Sequence, residues 1–399
     1  MLALILLATL VPSTDADSGM FQRCILCGEF GLADAIANVL LFLPLAIGVY
    51  GAGAPAGRTV LVGFLLSASL EYVQLRLIPG RDATLGDVVW NTAGMALGVT
   101  IAWWLPRRRR SGGRSLAASV LVLSALGFFG FVLRPVFPPT VYYGQWTADL
   151  GMYEWYRGQV LSAEIGGMAM PSWRLADSKT VRERLAAGTP LRVRAIAGPR
   201  TERLAPLFSI ADGERRSIIL VGPDRDDLVL HVSTRSVDVR LQQPDLRWRG
   251  AMAAVRPGDT LRVEVLGMRG EYCLRLNERE RCDLAPSAGR AWTLVQFISH
   301  LPAGVQAFLD SVFLLLLGLP LGLVYRRGAA GYAAVGLALA DVLVIPPLIG
   351  LAATPLLEVA VLALGILAGM YAPPQAGRVG LGTPASGVIG DDSRAGLVR

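Results

Sequence analysis

Histidine is nearly absent from this chain: His231 and His300 are the only two in 399 residues. That scarcity excludes a histidine-rich metal centre. Charge is also sparse, with Asp, Glu, Lys and Arg at 17% of residues, which argues against an ordinary soluble enzyme. The four cysteines form two local pairs, Cys24/Cys27 and Cys273/Cys282. Cys24-x-x-Cys27 is followed by Gly28, so the c-type haem attachment pattern lacks its histidine. Zinc would require both pairs to meet in space, and two disulfides on an oxidising face is the reading the local pairing favours. The sequence supplies no nucleophile with a base histidine beside it, no metal triad and no phosphate-binding glycine loop. No metal and no cofactor are expected.

What is abundant is apolar sequence. Hydrophobic residues make up 53% of the chain and the mean hydropathy is +0.48, the signature of an integral membrane protein. The net charge of +7 does not point to nucleic acid, because the arginines cluster beside apolar runs (Arg107 to Arg110, Arg326 and Arg327). Basic clusters in that position write membrane topology.

Residues 2–12 form an apolar start without a positive leader; the run falls short of the roughly 20 residues needed to cross a bilayer and reads as a truncated span or a signal. Runs near spanning length follow at 34–50, 59–78, 85–105 and 115–134, and again at 303–325, 331–351 and 354–371. Placing Arg107 to Arg110 in the cytoplasm puts Arg58 and Arg326-Arg327 inside, and Arg76, Arg81 and residues 140–300 outside. The same assignment puts all four cysteines outside. Between the two helical blocks the pattern changes to alternating strands at 191–198, 205–212, 216–222, 227–234, 259–267 and 271–277, separated by turn residues such as Gly213 and Pro257-Gly258-Asp259.

Polar residues inside apolar runs are the sharpest clue to function. Glu71 and Gln74 are spaced i,i+3, Asp87 and Asn91 i,i+4, and Arg81 lies in the link between. Each pair lines one face of its helix. Charged side chains inside membrane helices are costly and mark a protein interior or a wet cavity. The structural alternative is that all five lock a helical hairpin, at about 0.6–2 kcal/mol per interhelical contact. Two carboxylates exceed what packing needs, and Arg81 can pair with only one of them.

Other features carry structural readings. Gly94-x-x-x-Gly98, Gly318-x-x-x-Gly322 and Gly365-x-x-x-Gly369 fit close helix packing. Ser67 and Ser69 read as helix-packing residues, Asp341 and Glu358 as interfacial or paired acids, and His300 as an interface residue. Asp224, Asp226 and Asp227 read as a solvated acidic turn before a calcium site. The aromatic stretch Tyr142, Tyr143, Trp146, Tyr153, Trp155, Tyr156 reads as a membrane-interface belt, with stacking on sugar rings as the other use.

Residues 34–105, with Asn38 to Pro44 (NVLLFLP), Glu71-x-x-Gln74, Arg81-Asp82, Asp87 and Asn91-Thr92-Ala93-Gly94, resemble the VanZ-like family of bacterial membrane proteins. That family is named for a member associated with reduced sensitivity to the glycopeptide teicoplanin. The resemblance implies a multi-pass protein of the bacterial cytoplasmic membrane and supplies no reaction. Residues 155–297 more loosely resemble a concanavalin A-like or laminin G-like jelly roll through Pro206 to Asp212, Gly222 to Leu230 and Tyr272 to Asn277; such folds often bind glycans, and a clear calcium-ligand set is missing here.

The expected architecture is a membrane all-α helical bundle of about 7–8 spans plus an extracytoplasmic all-β antiparallel jelly-roll sandwich. Its parts are a VanZ-like transmembrane domain at 1–135, an interfacial linker at 136–154, the external sandwich at 155–298, C-terminal transmembrane helices at 299–372 and a disordered cytoplasmic tail at 373–399. Glu71, Gln74, Arg81, Asp87 and Asn91 are the expected ligand-binding residues. Their expected partner is a membrane lipid or lipid-linked wall precursor, and the external domain is expected to hold a glycan; nucleic acid is not a partner. The alternative is a membrane-embedded enzyme using Glu71 or Asp87 as acid/base.

Overall fold

The computed structural model describes residues 21–78, 82–107, 112–147, 153–214, 216–268, 271–296, 298, 301–325 and 327–372. Arg81, the 2–12 run, Arg108 to Arg110, His300, Arg326 and the 373–399 tail lie outside them.

A short strand β1 (Phe21–Gln22) precedes helices α1 (Gly31–Gly51) and α2 (Ala56–Leu77). Strand β2 (Ala83–Thr84) then leads into α3 (Leu85–Arg107) and α4 (Gly112–Val132). β1 and β2 pair in parallel, tying the N-terminal segment to the α2–α3 link. The C-terminal block is α6 (Ala303–Val324), α7 (Ala329–Leu348) and α8 (Leu356–Tyr371). Four described helical stretches are long and apolar enough to cross a membrane: Gly31–Gly51, Ala56–Leu77, Ala303–Val324 and Gly331–Leu348. The expected seven to eight spans therefore exceed what the described residues carry. Asp87 and Asn91 lower the hydropathy of α3, and α8 has 16 residues against the roughly 20 needed for a full crossing.

All three Gly-x-x-x-Gly motifs are used at helix crossings. A Cβ on Gly94 would stand 2.5 Å from the Val39 carbonyl oxygen, and one on Gly98 at 2.5 Å from that of Leu43. α3 thus seats on α1 backbone to backbone. Gly318 and Gly322 of α6 face Gly365 and Gly369 of α8 in the same way: added methyl groups would strike the carbonyls of Leu362, Ile366, Leu315 and Leu319. Lipid tails are as apolar as leucine, so such close van der Waals contact is what draws these helices together.

Between the helical blocks lie two antiparallel sheets. The first has the order β10-β9-β8-β7-β3, from β3 (Tyr143–Trp146), β7 (Phe208–Ala211), β8 (Ser217–Asp224), β9 (Asp227–Val232) and β10 (Leu246–Trp248). The second has the order β13-β12-β11-β6-β4-β5, from β4 (Gln159–Ile165), β5 (Met168–Ala169), β6 (Leu191–Ile196), β11 (Thr260–Met268), β12 (Glu271–Leu276) and β13 (Arg279–Leu284). A helix α5 (Ser178–Ala186) precedes β6, its first turn capped by Asp177, whose carboxylate accepts from Thr180 N. All six strands read from the alternation are present. β6 shows why: Leu191, Val193 and Ala195 point into the core while Arg192 and Arg194 face out.

One apolar core joins the sheets, with Ile210, Val221 and Leu230 from the first meeting Val193, Val263 and Leu274 from the second. Ile218 to Val221 of β8 form an unbroken apolar run because the strand is covered on both faces. Leu220 and Val229 pack outward beneath Leu204 and Tyr153. Neighbours are consecutive over β7 to β10 and over β11 to β13. That order makes two meanders, and does not by itself establish the jelly roll expected from the sequence.

Contacts between the sheets and the helical segments include the end of β9, where Val136 N donates to Ser233 O at 2.9 Å, and the loops beside β10. Ala33 N donates to Arg240 O at 3.2 Å, the Arg240 guanidinium to Leu26 O at 3.1 Å and Gln242 N to Leu294 O at 2.8 Å. Arg249 donates to Leu301 O at 3.0 Å and to Gln306 Oε1 at 2.5 Å. Leu241 packs among Ala33, Phe129, Val132 and Leu133.

Candidate functional site

The α2–α3 hairpin brings four of the five expected residues to one end of the bundle. Glu71 and Gln74 lie in the last turns of α2, and Asp87 and Asn91 in the first turns of α3. Glu71, Gln74 and Asn91 are buried, at 7%, 5% and 3% exposure, while Asp87 is half-buried. Arg81 belongs to the link outside the described residues.

Thr84 organises the start of α3. Its hydroxyl accepts from Asp87 N at 2.9 Å, and its own N–H donates to Glu71 Oε2 at 2.8 Å. Thr84-x-x-Asp87 has the spacing of a capping box, and a carboxylate in the first turn complements the positive end of the helix dipole. Asp87 Oδ1 also accepts from Asn38 Nδ2, on α1, at 2.5 Å. One turn deeper, Asn91 Nδ2 donates to Ser67 Oγ on α2 at 2.9 Å. Asn91 Oδ1 is buried with no hydrogen-bond partner among the described residues. An unmet buried acceptor costs about 1–3 kcal/mol, so it marks a point where a donor would be gained.

The N-terminal segment closes this end. Gln22 Nε2 donates to Asp82 Oδ2 at 2.7 Å, Gly86 N to Cys24 O at 3.0 Å and Trp90 Nε1 to Ile25 O at 2.9 Å. Cys24 and Cys27 are joined by a disulfide, so the loop that meets α3 is cross-linked. The second disulfide, Cys273–Cys282, bridges β12 and β13. Each cysteine pair is closed locally, and the pairs do not assemble a four-cysteine zinc site.

Asn38 and Thr84 escaped the sequence reading as site residues. The signal for Asn38 was present: Asp34 and Asn38 stand i,i+4 inside an apolar run, the same spacing that drew attention to Asp87 and Asn91. Ser67 has the interhelical packing role expected of it, and Ser69 bonds back to Leu65 O within its own helix.

A second polar cluster joins the sheets to α6 and α8. Glu358, buried at 9% exposure, accepts from Ser287 Oγ at 3.0 Å and Gly289 N at 3.1 Å. Asp310 accepts from Trp292 Nε1 at 2.7 Å and lies 3.6 Å from Arg290 Nε. Glu358 is thus a paired acid, as its position implied, and Asp310 was missed. Asp341 is half-buried. The acidic β8–β9 turn is occupied by arginines: Arg247 reaches Asp224 at 2.5 Å and Asp227 at 3.4 Å, and Arg200 reaches Asp226 at 2.6 Å. Those acids are neutralised by salt bridges, which removes the free carboxylates a calcium site would use.

The aromatic stretch divides between core and surface. Tyr142 and Tyr156 are buried in the sandwich core, so they form no interface belt. Trp155 remains 56% exposed and is joined at the surface by Trp173 at 77%.

Residues 4–106 match the family model described as VanZ/LLP1. No curated protein and no solved structure matches the chain. The polar hairpin lies inside the matched segment, together with two of the apolar helices long enough to cross a membrane; over residues 4–106 the chain is similar to the VanZ/LLP1 family, and its apolar helices are those of a membrane protein.

Proposed function

We propose that this VanZ-like protein works in the bacterial cell envelope, recognising a lipid head group or lipid-linked wall precursor with the polar end of its first three helices. Glu71, Gln74, Asp87 and Asn91 are the binding residues, with Arg81 from the adjoining link as the partner for an anionic group. The sheets stand on the external side, where they hold a glycan or another envelope component, and the protein influences glycopeptide sensitivity.

The observation that carries this reading is the convergence of two carboxylates and two carboxamides at one end of the α2–α3 hairpin, three of them buried. Both carboxylates already accept protein hydrogen bonds. That use suits fixed acceptors in a recognition site better than a proton-transferring pair, whose acid must give its proton to substrate. The arginine pattern supports the external placement, because it puts the basic clusters next to the opposite face.

The test replaces Glu71 or Asp87 by Ala, confirms membrane insertion, and measures glycopeptide sensitivity of cells and binding of lipid-linked precursor by purified protein. Loss of precursor binding is expected. Wild-type behaviour in both assays removes the site. Cysteines introduced between 140 and 300 should react with an impermeant reagent added outside intact cells; protection there overturns the orientation.

A further inference from the structure

We propose that the sandwich binds a neutral saccharide chain in a groove on its β3 edge, stacking pyranose rings on Trp155 and Trp173. This names the site and ligand class for the external glycan-binding role proposed above, and rests on that reading.

The groove has a volume of about 310 Å3 and is lined by Tyr143, Gln145, Trp146, Trp155, Ser172 and Trp173 among others. That volume lies at the lower end of the range of ligand pockets, about 300–1,000 Å3, which suits a short stretch of a longer chain. Three indoles and a phenol in one concave surface are unusual, since exposed indole is costly in water. Trp146 is structural in part: its Nε1 donates to Met170 O at 2.9 Å and its backbone N to Ser172 Oγ at 3.1 Å. Trp155 and Trp173 are different. They are 56% and 77% exposed, and their ring N–H groups make no hydrogen bond among the described residues.

Charge decides the class of ligand. Among the described residues, no acidic or basic side chain lines the groove. Against those side chains a phosphate or carboxylate ligand finds no counter-charge, and an ammonium group no anion. The Gln145 amide and the Ser172 hydroxyl provide the polar contacts that sugar hydroxyls require, while aromatic faces match the apolar C–H face of a pyranose ring. Gln145 Oε1 is engaged by Ser209 Oγ at 3.4 Å, which turns its amide nitrogen into the available donor.

The loops flanking β10 are among the parts of the sheet that meet the helical segments, through Arg240 and Arg249. β3 is the opposite edge of that sheet, four strand spacings away, or about 19 Å at the usual strand separation. The groove thus lies at the edge opposite the β10 contacts, and vesicle probes separate a sugar platform from a membrane belt.

The experiment uses the full chain purified in a detergent without a sugar head group. Soluble β-1,4-linked N-acetylglucosamine oligomers and cello-oligosaccharides are titrated by calorimetry and by intrinsic tryptophan fluorescence, with phosphatidylglycerol and phosphatidylcholine vesicles as separate probes. Saturable saccharide binding is expected, with a blue shift of emission. Trp155→Ala and Trp173→Ala should each weaken it by about ten-fold or more, and both side chains are exposed enough for truncation to spare the core. Gln145→Ala should weaken it without altering the fluorescence of the free protein, and Glu71→Ala should leave it unchanged. Absence of saturable binding to either saccharide, or binding indifferent to both tryptophan variants, overturns the proposal. Vesicle binding that depends on Trp155 and Trp173, without saccharide binding, reassigns them to a membrane anchor and also overturns it. Precursor binding lost in Glu71→Ala while saccharide binding persists would separate the two sites.

Discussion

Glu71 accepts the backbone N–H of Thr84 at 2.8 Å, so a carboxylate near the end of one membrane helix holds the residue that caps the next. The bond fixes the turn between α2 and α3 and sets the spacing of Asp87 and Asn91 beyond it. Glu71→Ala should lower the thermal midpoint of the detergent-solubilised protein, at a cost of about 1.5–3 kcal/mol for a hydrogen bond to a charged group. Glu71→Gln keeps an acceptor and should recover most of that loss. If the glutamine and alanine variants melt together well below wild type, charge rather than the hydrogen bond holds the turn.

The facing glycines of α6 and α8 leave no room for a side chain. Gly365→Ala would place a methyl group 2.5 Å from Leu315 O. Overpacking of this kind costs about 1–3 kcal/mol. Gly336, in α7, has open space where a Cβ would stand, with nothing within 4 Å. Gly336→Ala is therefore the matched control and should be neutral or mildly stabilising through helix propensity. Equal melting of the two variants would show that α6 and α8 do not meet through these glycines.

Cys273–Cys282 closes a short loop across β12 and β13, with a sequence separation of 9. Chain-entropy arguments give about 2–3 kcal/mol for a loop of that length. Cys273→Ser with Cys282→Ser should lower the unfolding midpoint of the sandwich by that amount, and added dithiothreitol should shift the wild type to match. No response to reductant would mean that the cross-link contributes nothing measurable to the folded state.

Buried tyrosines set an alkaline limit. Burial, reinforced by the negative charge of Asp212 and opposed by Arg182, raises the Tyr142 phenol from 10.0 to about 12. Burial, with Asp245 and Glu29, raises Tyr153 from 10.0 to about 12. A folded-state value above the unfolded one favours the native state while the phenol keeps its proton. The contribution is complete below pH 10 and is lost as pH rises toward about 12. Tyrosinate absorbance of the folded protein should rise late compared with free tyrosine, and unfolding should sharpen in that window. Titration of all tyrosines near the free value would show that these phenols are open to water.

Much of the fold was legible because its signals are local. The alternation in Leu191 to Ile196 could form only a half-buried strand, and the observed burial follows it residue by residue. The β3, β5 and β10 strands were not legible, since two to four residues carry too little periodicity to read. In the candidate site, spacing alone pointed to Glu71, Gln74, Asp87 and Asn91. It did not reveal Asn38, because its pairing with Asp87 spans 49 residues and a carboxamide has many possible acceptors.

The sequence by itself determined the membrane character, the apolar runs, the glycine-lined helix faces and the local closure of each cysteine pair, all of which depend on neighbours a few residues apart. Tertiary structure decided the rest. It chose Thr84 as the partner of Glu71, set Glu358 and Asp310 against the segment after β13, and consigned Tyr142 and Tyr156 to the core. It also brought Trp173 beside Trp155 at the edge of the sheet opposite β10. Burial patterns follow from residue type and period, but which polar groups meet depends on how helices and sheets cross, and only the packed chain fixes that geometry.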